Sequence, residues 1–208
     1  IARKELLHIY ETEKEWQRAI DEATSIQRQS GEDQSTRIAQ LYCELTQQNL
    51  YFKNFKGAAE ALEKALKVDP NNKRALIIKG KMLKAKGDID GALATWKQVG
   101  QISPVYGTLV VEQIASLLLE AGRKEEAVKY LEDLFKDGST TDEVDTAGIL
   151  LGKAGNSKEA ITLIQEHLKT QPTLVAFYRL IDLRLANEPE NESLKQLHGL
   201  LLSLIHIS

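Results

Sequence analysis

Five alanines in similar surroundings divide the chain into segments of nearly equal length. They are Ala19, Ala58, Ala92, Ala127 and Ala160, and their spacings are 39, 34, 35 and 33 residues. A period of this length is typical of repeat proteins, in which each repeat is one supersecondary unit that buries its apolar face against its neighbours. The period therefore restricts the fold to a linear stack of similar units.

Small residues recur at a second fixed distance. Twelve residues before three of the alanines lie Gly80, Ala115 and Gly148. Two helices that cross closely require small side chains where their backbones approach, and these pairs of small residues supply them. The spacing thus predicts that each repeat contains two closely packed helices.

Turn signals follow the same period. A glycine lies five residues before three of the alanines, where a residue with positive φ can close a helix. A proline lies twelve residues after three of them, where it ends the second helix of a pair. The glycines are Gly87, Gly122 and Gly155, and the prolines are Pro70, Pro104 and Pro172.

Helix–turn–helix units with a period near 34 residues are typical of the tetratricopeptide repeat. We predict an all-α fold, a right-handed superhelix (α-solenoid) of about five to six helix pairs that occupies residues 1–201. The spacing of 39 implies either a longer loop around Ser30–Ser35 or an extended helix at Arg37–Tyr51. The predicted pairs are 1–30, 35–68, 73–102, 107–137, 141–170 and 173–201.

The first helix of each pair lines the concave side of such a superhelix, and the groove on that side is the usual binding surface. Read with the period, the sequence predicts a groove of mixed charge with some apolar spots. It lacks the Lys/Asn set with which other such arrays clamp a terminal carboxylate, so we do not expect a partner recognised by a single charged end. The predicted partner-binding residues are Gln40, Cys43, Glu44, Gln47, Arg74, Ile77, Lys81, Lys84, Glu112, Gln113, Ser116 and Glu120.

Few side chains suggest catalysis. Cys43 is the single cysteine, which excludes an internal disulfide and a multi-cysteine metal site within these residues. The adjacent Glu44 would raise the pKa of its thiol, whereas a nucleophile requires a thiolate, so we interpret Cys43 as packed or groove-lining. We interpret Trp16 and Trp96 as packing residues. The four histidines are His8, His167, His198 and His206, and no two of them have the spacing of a metal-binding pair such as His-x-x-x-His. We expect His167 in the core.

Composition adds further exclusions. The net charge is −3 with both signs interspersed, which gives no support for nucleic-acid binding. The apolar runs are too short to span a bilayer. We therefore expect a non-enzyme without catalytic, cofactor-binding or metal-binding residues. Because the chain begins with Ile1 and not Met, we also expect a cut N-terminus.

The last residues depart from the repeat pattern. The run Leu200–Ile207 is apolar and does not continue the spacing of Leu194 and Leu197. One interpretation is a tail that contacts a membrane. We favour the other, that residues 202–208 are a non-native tail, because Leu-Ser-Leu-Ile-His-Ile resembles the translation of a sequencing-library adapter.

Several strings of residues are more specific than the repeat consensus. The most specific are Glu15-Trp16-Gln17-Arg18-Ala19-Ile20 and Tyr42-Cys43-Glu44-Leu45; Leu7–Tyr10, Gly80–Gly87 and the stretch from Pro172 to Asp182 follow in the same order. In these strings the chain resembles the lipopolysaccharide assembly protein B family of bacterial inner-membrane proteins. The resemblance covers the chain up to about residue 198.

This resemblance implies an adaptor. Members of the family carry an N-terminal membrane anchor, cytoplasmic repeats and a C-terminal rubredoxin-like metal domain. They link an FtsH-type membrane-anchored AAA protease to the deacetylase of the lipid A pathway, which restrains lipopolysaccharide synthesis at the cytoplasmic face of the inner membrane. The implied partners are these two proteins and other lipopolysaccharide assembly proteins. Because the Cys-x-x-Cys pairs of the metal domain are absent, no metal ligand is carried over to this chain.

Two alternatives stay open at this point. One is a generic tetratricopeptide-repeat scaffold for another assembly or secretion complex. The other is the repeat portion of an enzyme whose catalytic part lies outside these residues. Fold alone does not distinguish them, so the adaptor prediction depends on the family strings.

Overall fold

The computed structural model describes residues 2–135 and 139–207. Within these ranges the chain forms α-helices and one short 3₁₀ turn, and it contains no β-strand. The chain divides into two compact units, Ile1–Ile102 and Ser103–Ser208. The predicted all-α fold is confirmed. Ile1, the predicted end of the fourth pair at residue 137, and Ser208 of the predicted tail lie outside the described residues.

Unit 1 consists of three helix pairs, in which α1, α3 and α5 are the first helices. Helix α3 has 17 residues whereas α5 has 13, so the spacing of 39 comes from an extended first helix. This settles the alternative that the sequence left open. The helices are α1 (Ala2–Thr12), α2 (Trp16–Ser30), α3 (Ser35–Tyr51), α4 (Phe55–Val68), α5 (Lys73–Ala85) and α6 (Ile89–Ile102).

Unit 2 begins with the 3₁₀ turn Pro104–Tyr106 and continues with further helices. Its hydrophobic core includes Leu131, Leu151 and Ile164, each with 1% or less of its surface exposed. The repeat boundaries and the non-native tail stay predictions. The helices are α7 (Gly107–Glu120), α8 (Lys124–Asp133), α9 (Thr141–Lys153), α10 (Ser157–Thr170), α11 (Leu174–Asn187) and α12 (Glu192–Ile207).

The repeat alanines lie at the centre of each helix pair. All five have no exposed surface. Where the sequence predicts a close helix approach, a side chain on the second helix fills the space above the small residue on the first. Trp96 of α6 lies against Gly80, and Ile164 of α10 lies against Gly148. Small residues are therefore required at these positions because a large neighbour occupies the space that a side chain would take.

Every turn between the two helices of these five pairs contains one residue with positive φ. Three of these residues are the predicted glycines, with φ of 73° to 82°. The other two are Lys14 with φ 58° and Lys53 with φ 57°. Both lysines lie five residues before their alanine, as the glycines do. A left-handed conformation costs a residue with a Cβ about 1–2 kcal/mol, so the surrounding helix pair imposes this turn even where glycine is absent.

Candidate functional site

Ion pairs connect the first helices of successive repeats in unit 1. The guanidinium of Arg37 on α3 donates from Nε and Nη2 to the two carboxylate oxygens of Glu11 on α1, both at 2.8 Å. Arg74 on α5 donates to Glu44 on α3 at 2.5 Å. The hydrogen bonds that Arg37 donates to the carboxylate of Glu11 raise the pKa of Arg37 above its ordinary value. Partly exposed pairs of this kind contribute about 0.2–1 kcal/mol each, so their main effect is to fix the position of charge on this face.

The two ion pairs border a cavity of about 230 Å³ on the face formed by the first helices. The cavity has an apolar part, provided by Trp16 and Leu41, and a polar part. Gln40 is exposed at its surface and carries an amide that both donates and accepts hydrogen bonds. We call this surface the A-helix site; it is lined by Glu11, Trp16, Arg37, Gln40, Leu41, Glu44 and Arg74.

A similar ion pair connects first helices in unit 2. Arg179 on α11 donates from Nε to Asp145 on α9 at 2.9 Å and from Nη1 to Asp182 at 2.6 Å. Its side chain is only 16% exposed. The arginine and the acid of the preceding first helix are 34 residues apart here, against 26 for Arg37 and 30 for Arg74. The connection between first helices therefore recurs along the chain.

Three of the predicted groove residues meet at the A-helix site. Gln40, Glu44 and Arg74 all line its cavity. Gln47 and Lys81 are exposed on α3 and α5 but do not line it. Lys84 is half-buried and does not line it either. The sequence did not identify Glu11, Trp16, Arg37 or Leu41 as lining residues.

Two residues predicted to line the groove, Cys43 and Ile77, are buried, so Cys43 is packed, which is one of the two interpretations that the sequence gave it. Cys43 has no exposed surface and Ile77 is 9% exposed, so neither offers a side chain to a partner. Cys43 packs in a core cluster with Leu62 and Ala75, and its Sγ lies 3.8 Å from Oδ1 of Asn72. The reason for the error is rotational. One residue along a helix turns the side chain by about 100°, which separates buried Cys43 from half-buried Glu44.

The predicted groove residues of unit 2 all lie on α7. Glu112 and Glu120 are exposed, and Gln113 and Ser116 are half-buried. They alternate with Val111, Ile114, Ala115 and Leu118, which are buried. Their accessibility fits a binding role, which stays a prediction.

The thiol of Cys43 is expected to be unreactive in the folded chain. Burial raises its pKa from the ordinary 9.0 to about 11, so the thiolate fraction at pH 8 is about a hundredfold smaller than in the unfolded chain. We expect an aromatic disulfide reagent to react at least about a hundredfold faster in guanidinium than in buffer. Rapid stoichiometric reaction of the native chain at pH 8 would contradict the burial.

The raised pKa of Cys43 also determines how the free energy of unfolding changes with pH. The folded state retains the thiol proton to a higher pH than the unfolded state does. Between pH 9 and about 11 the unfolded chain loses this proton first. The contribution of Cys43 to the free energy of unfolding is therefore present below pH 9 and decreases as the pH rises through this window.

The histidines are dispersed. His8 is exposed on α1, and His167 is 8% exposed on α10, as its predicted core position requires. His198 on α12 stacks against Tyr178, with ring centroids 4.9 Å apart. The side chain of His206 lies outside those that the structure describes. In the part of the chain that is described, no group of three or more His, Cys, Asp or Glu side chains is arranged to hold a metal ion.

The arrangement of successive helix pairs, with buried repeat alanines and a left-handed residue in each inner turn, defines the class of protein. The family model of the tetratricopeptide repeat-like domain matches residues 22–190. The chain belongs to this family, and its helix pairs are tetratricopeptide repeats.

Similarity to particular proteins is more specific. The chain is 29% identical over 196 residues to lipopolysaccharide assembly protein B of Escherichia coli strain K12, which covers 94% of the chain and 50% of that relative. It is 26% identical over 208 residues to the Haemophilus influenzae protein of the same name, with 95% and 50% covered. The predicted resemblance to this family is confirmed. The chain spans about half the length of the curated relatives it matches.

Solved structures of other proteins resemble the chain more distantly. PilF of Pseudomonas aeruginosa is 19% identical, with 100% of this chain and 91% of that chain covered and a TM-score of 0.49. YrrB, described as a repeat protein with an unusual peptide-binding site, is 16% identical, with 88% of this chain and 96% of that chain covered and a TM-score of 0.44.

None of the helices in the described ranges has both the length and the apolar character required to cross a membrane.

Proposed function

We propose that the chain is a protein-binding scaffold and adaptor that regulates lipopolysaccharide synthesis. In this proposal it brings the deacetylase of the lipid A pathway to an FtsH-type membrane protease at the cytoplasmic face of the inner membrane. The observation that carries the proposal is the similarity to lipopolysaccharide assembly protein B over 94% of the chain. An adaptor increases the rate of degradation by raising the local concentration of substrate at the protease, and this requires no catalytic group or cofactor in the repeats.

The A-helix site provides a surface suited to this role. Its arginines are already paired with Glu11 and Glu44, so they offer no free cation to a terminal carboxylate. Gln40 is exposed beside the half-buried Trp16, and these two side chains can make hydrogen bonds and apolar contact with a folded partner. We therefore propose that the A-helix site binds a surface of a folded partner protein, which it recognises by shape and hydrogen bonding.

The test is binding of the purified deacetylase to the immobilised chain, measured by biolayer interferometry. We expect a Kd on the order of micromolar for the unchanged chain. Gln40→Trp introduces a bulky group at the cavity and is expected to weaken binding at least about tenfold. Gln98→Trp is the matched control, because Gln98 is exposed on α6 and does not line the A-helix site.

The cytoplasmic part of the FtsH-type protease is tested in the same way. Binding of both proteins, with only Gln40→Trp reducing deacetylase binding, would support the adaptor and this site. Equal binding by the two variants would reject the A-helix site as the deacetylase surface. Binding of neither protein would reject the adaptor and leave the generic tetratricopeptide-repeat scaffold of another assembly or secretion complex.

A further inference from the structure

A second groove lies in unit 1, between the second helix of one pair and the first helix of the next. It has a volume of about 510 Å³ and its floor is apolar. Leu62 is buried there, whereas Leu66, Met82 and Leu83 remain half-exposed. We call it the α4–α5 groove; its lining residues are Ala59, Leu62, Glu63, Leu66, Lys67, Lys79, Met82, Leu83 and Lys86.

Each helix contributes a regular stripe to the groove. Along α5 the stripe is Lys79, Met82, Leu83 and the C-cap residue Lys86, with the i, i+3, i+4, i+7 spacing of one helix face. On α4 the lining residues Ala59, Leu62, Glu63 and Leu66 have the same spacing. The walls of the groove are thus two helix faces about two turns long, and a space of this form is suited to a helix lying in a groove.

The apolar stripe of α4 extends beyond the cavity. Phe55 precedes Ala59 by four residues and is therefore on the same helix face. It is 65% exposed. An exposed phenylalanine at the end of a half-exposed leucine stripe supplies an aromatic anchor of the kind that contributes strongly to protein interfaces. With Phe55 the stripe spans about three turns.

Positive charge borders this apolar floor. Lys67, Lys79 and Lys86 are exposed at the groove, against the single acid Glu63. Lys67 and Lys86 lie near helix C-termini, where a cation also offsets the helix dipole. Lys79 lies in the middle of α5 and has no such role. The excess of cations gives the groove a preference for an acidic partner.

The groove is distinct from the A-helix site. Around the axis of α5, at about 100° per residue, its lining residues are rotated by about 80° or more from Arg74. None of the lining residues is shared by the two surfaces. A chain that binds one protein at the A-helix site can therefore still bind a second protein in the α4–α5 groove.

We infer that the α4–α5 groove binds an amphipathic helix of a partner protein, about three turns long, with an apolar stripe flanked by acidic residues. The apolar stripe of the partner helix packs on Leu66, Met82 and Leu83. One end of the partner helix, either its N-terminus or its C-terminus, covers Phe55. The acidic side chains face Lys67, Lys79 and Lys86. This inference does not depend on the deacetylase or the protease as partners.

The test uses the whole 208-residue chain and a fluorescein-labelled, end-capped peptide of about 14 residues. Its leucines have i, i+3, i+4, i+7 spacing, its flanking positions are glutamates and the remainder are alanines. We expect binding in fluorescence anisotropy with a Kd on the order of 10–100 µM. A peptide with lysine in place of every glutamate is expected to bind at least about tenfold more weakly, and the difference decreases at high salt.

Variants assign the binding to the groove. The double variant Lys79→Glu/Lys86→Glu is expected to weaken binding of the acidic peptide at least about tenfold. Lys129→Glu is the matched control, because Lys129 is exposed on α8 in unit 2. Phe55→Ser tests the apolar end of the stripe separately and should weaken binding about threefold or more. Far-ultraviolet circular dichroism verifies that each variant is folded.

Several outcomes would overturn the inference. They are absence of binding up to about millimolar peptide, equal binding of the acidic and basic peptides, and equal binding of a scrambled peptide with the same composition. Unchanged affinity in the Lys79→Glu/Lys86→Glu and Phe55→Ser variants would overturn it as well. Gln40→Trp should leave peptide binding unchanged, so a failure of the proposed adaptor function and a failure of this groove are distinguishable.

Discussion

Replacement of Trp96 by alanine is expected to lower the free energy of unfolding by about 3–5 kcal/mol. Trp96 is the largest side chain without exposed surface among the described residues. Its removal leaves a cavity against the rigid backbone of α5 around Gly80, which cannot collapse easily. It also removes the hydrogen bond, 3.3 Å long, that Nε1 donates to the carbonyl oxygen of Ile77.

Urea unfolding followed by far-ultraviolet circular dichroism provides the measurement. The midpoint should decrease while the slope with urea stays constant, which identifies a change in stability and not in compactness. Trp16→Ala is the control, because Trp16 is half-buried at the border of the A-helix site. A loss for Trp96→Ala no larger than that for Trp16→Ala would show that Trp96 is not a central packing residue.

The helix pairs could be predicted from the sequence because their determinants are local and periodic. The alanines at each crossing, such as Ala92 and Ala127, are buried without exception in the five repeats. A small residue twelve positions earlier predicts the close approach correctly at Gly80 and Gly148. These requirements repeat with every unit, so several imperfect copies reinforce one interpretation.

The left-handed turn residues were only partly predictable. Gly87, Gly122 and Gly155 indicate positive φ through their residue type, but Lys14 and Lys53 do not. The period alone carries the information for these two turns, since each lysine lies five residues before its alanine. In physical terms, the packing of a helix pair offsets the cost of about 1–2 kcal/mol for a left-handed lysine, and residue propensity does not report that balance.

The candidate site was less predictable than the fold. Glu44 and Arg74 both line the A-helix site, but their ion pair joins residues 30 positions apart and depends on the rotation of two helices. Cys43 and Ile77 were misplaced for the same reason, because a rotation of about 100° converts a groove residue into a core residue. The partners Glu11 and Arg37 had no sequence signal beyond their charge.

The turn after α3 shows the same limit for apolar residues. Tyr51, Phe52 and Phe55 are 82%, 69% and 65% exposed, although aromatic side chains are rare in this chain and large enough to build a core. Their position at a helix junction, and not their hydrophobicity, determines their exposure. Exposed clusters of this kind often mark interaction surfaces, which agrees with the role inferred for Phe55 at the α4–α5 groove.

Replacement of Gly80 by alanine is expected to lower the free energy of unfolding by about 1–3 kcal/mol. An alanine Cβ at this position would lie 2.5 Å from Cδ1 of Trp96, which is much closer than van der Waals contact with this rigid and fully buried ring allows. Alanine favours the helix over glycine by about 1 kcal/mol, but the clash outweighs this gain because Trp96 has no space into which it can move.

The matched control is Gly148→Ala on α9. There the added Cβ meets Cδ1 of Ile164 at 2.9 Å, the far end of a flexible side chain that can rotate away. The gain in helix propensity then offsets most of the strain, and we expect a change within about 1 kcal/mol. In the Trp96→Ala background, Gly80→Ala should become neutral or stabilising, because the two sites are coupled through one contact. Additive losses in the double variant would show that the indole is not the obstacle, and that Gly80 is required for the backbone of α5 itself.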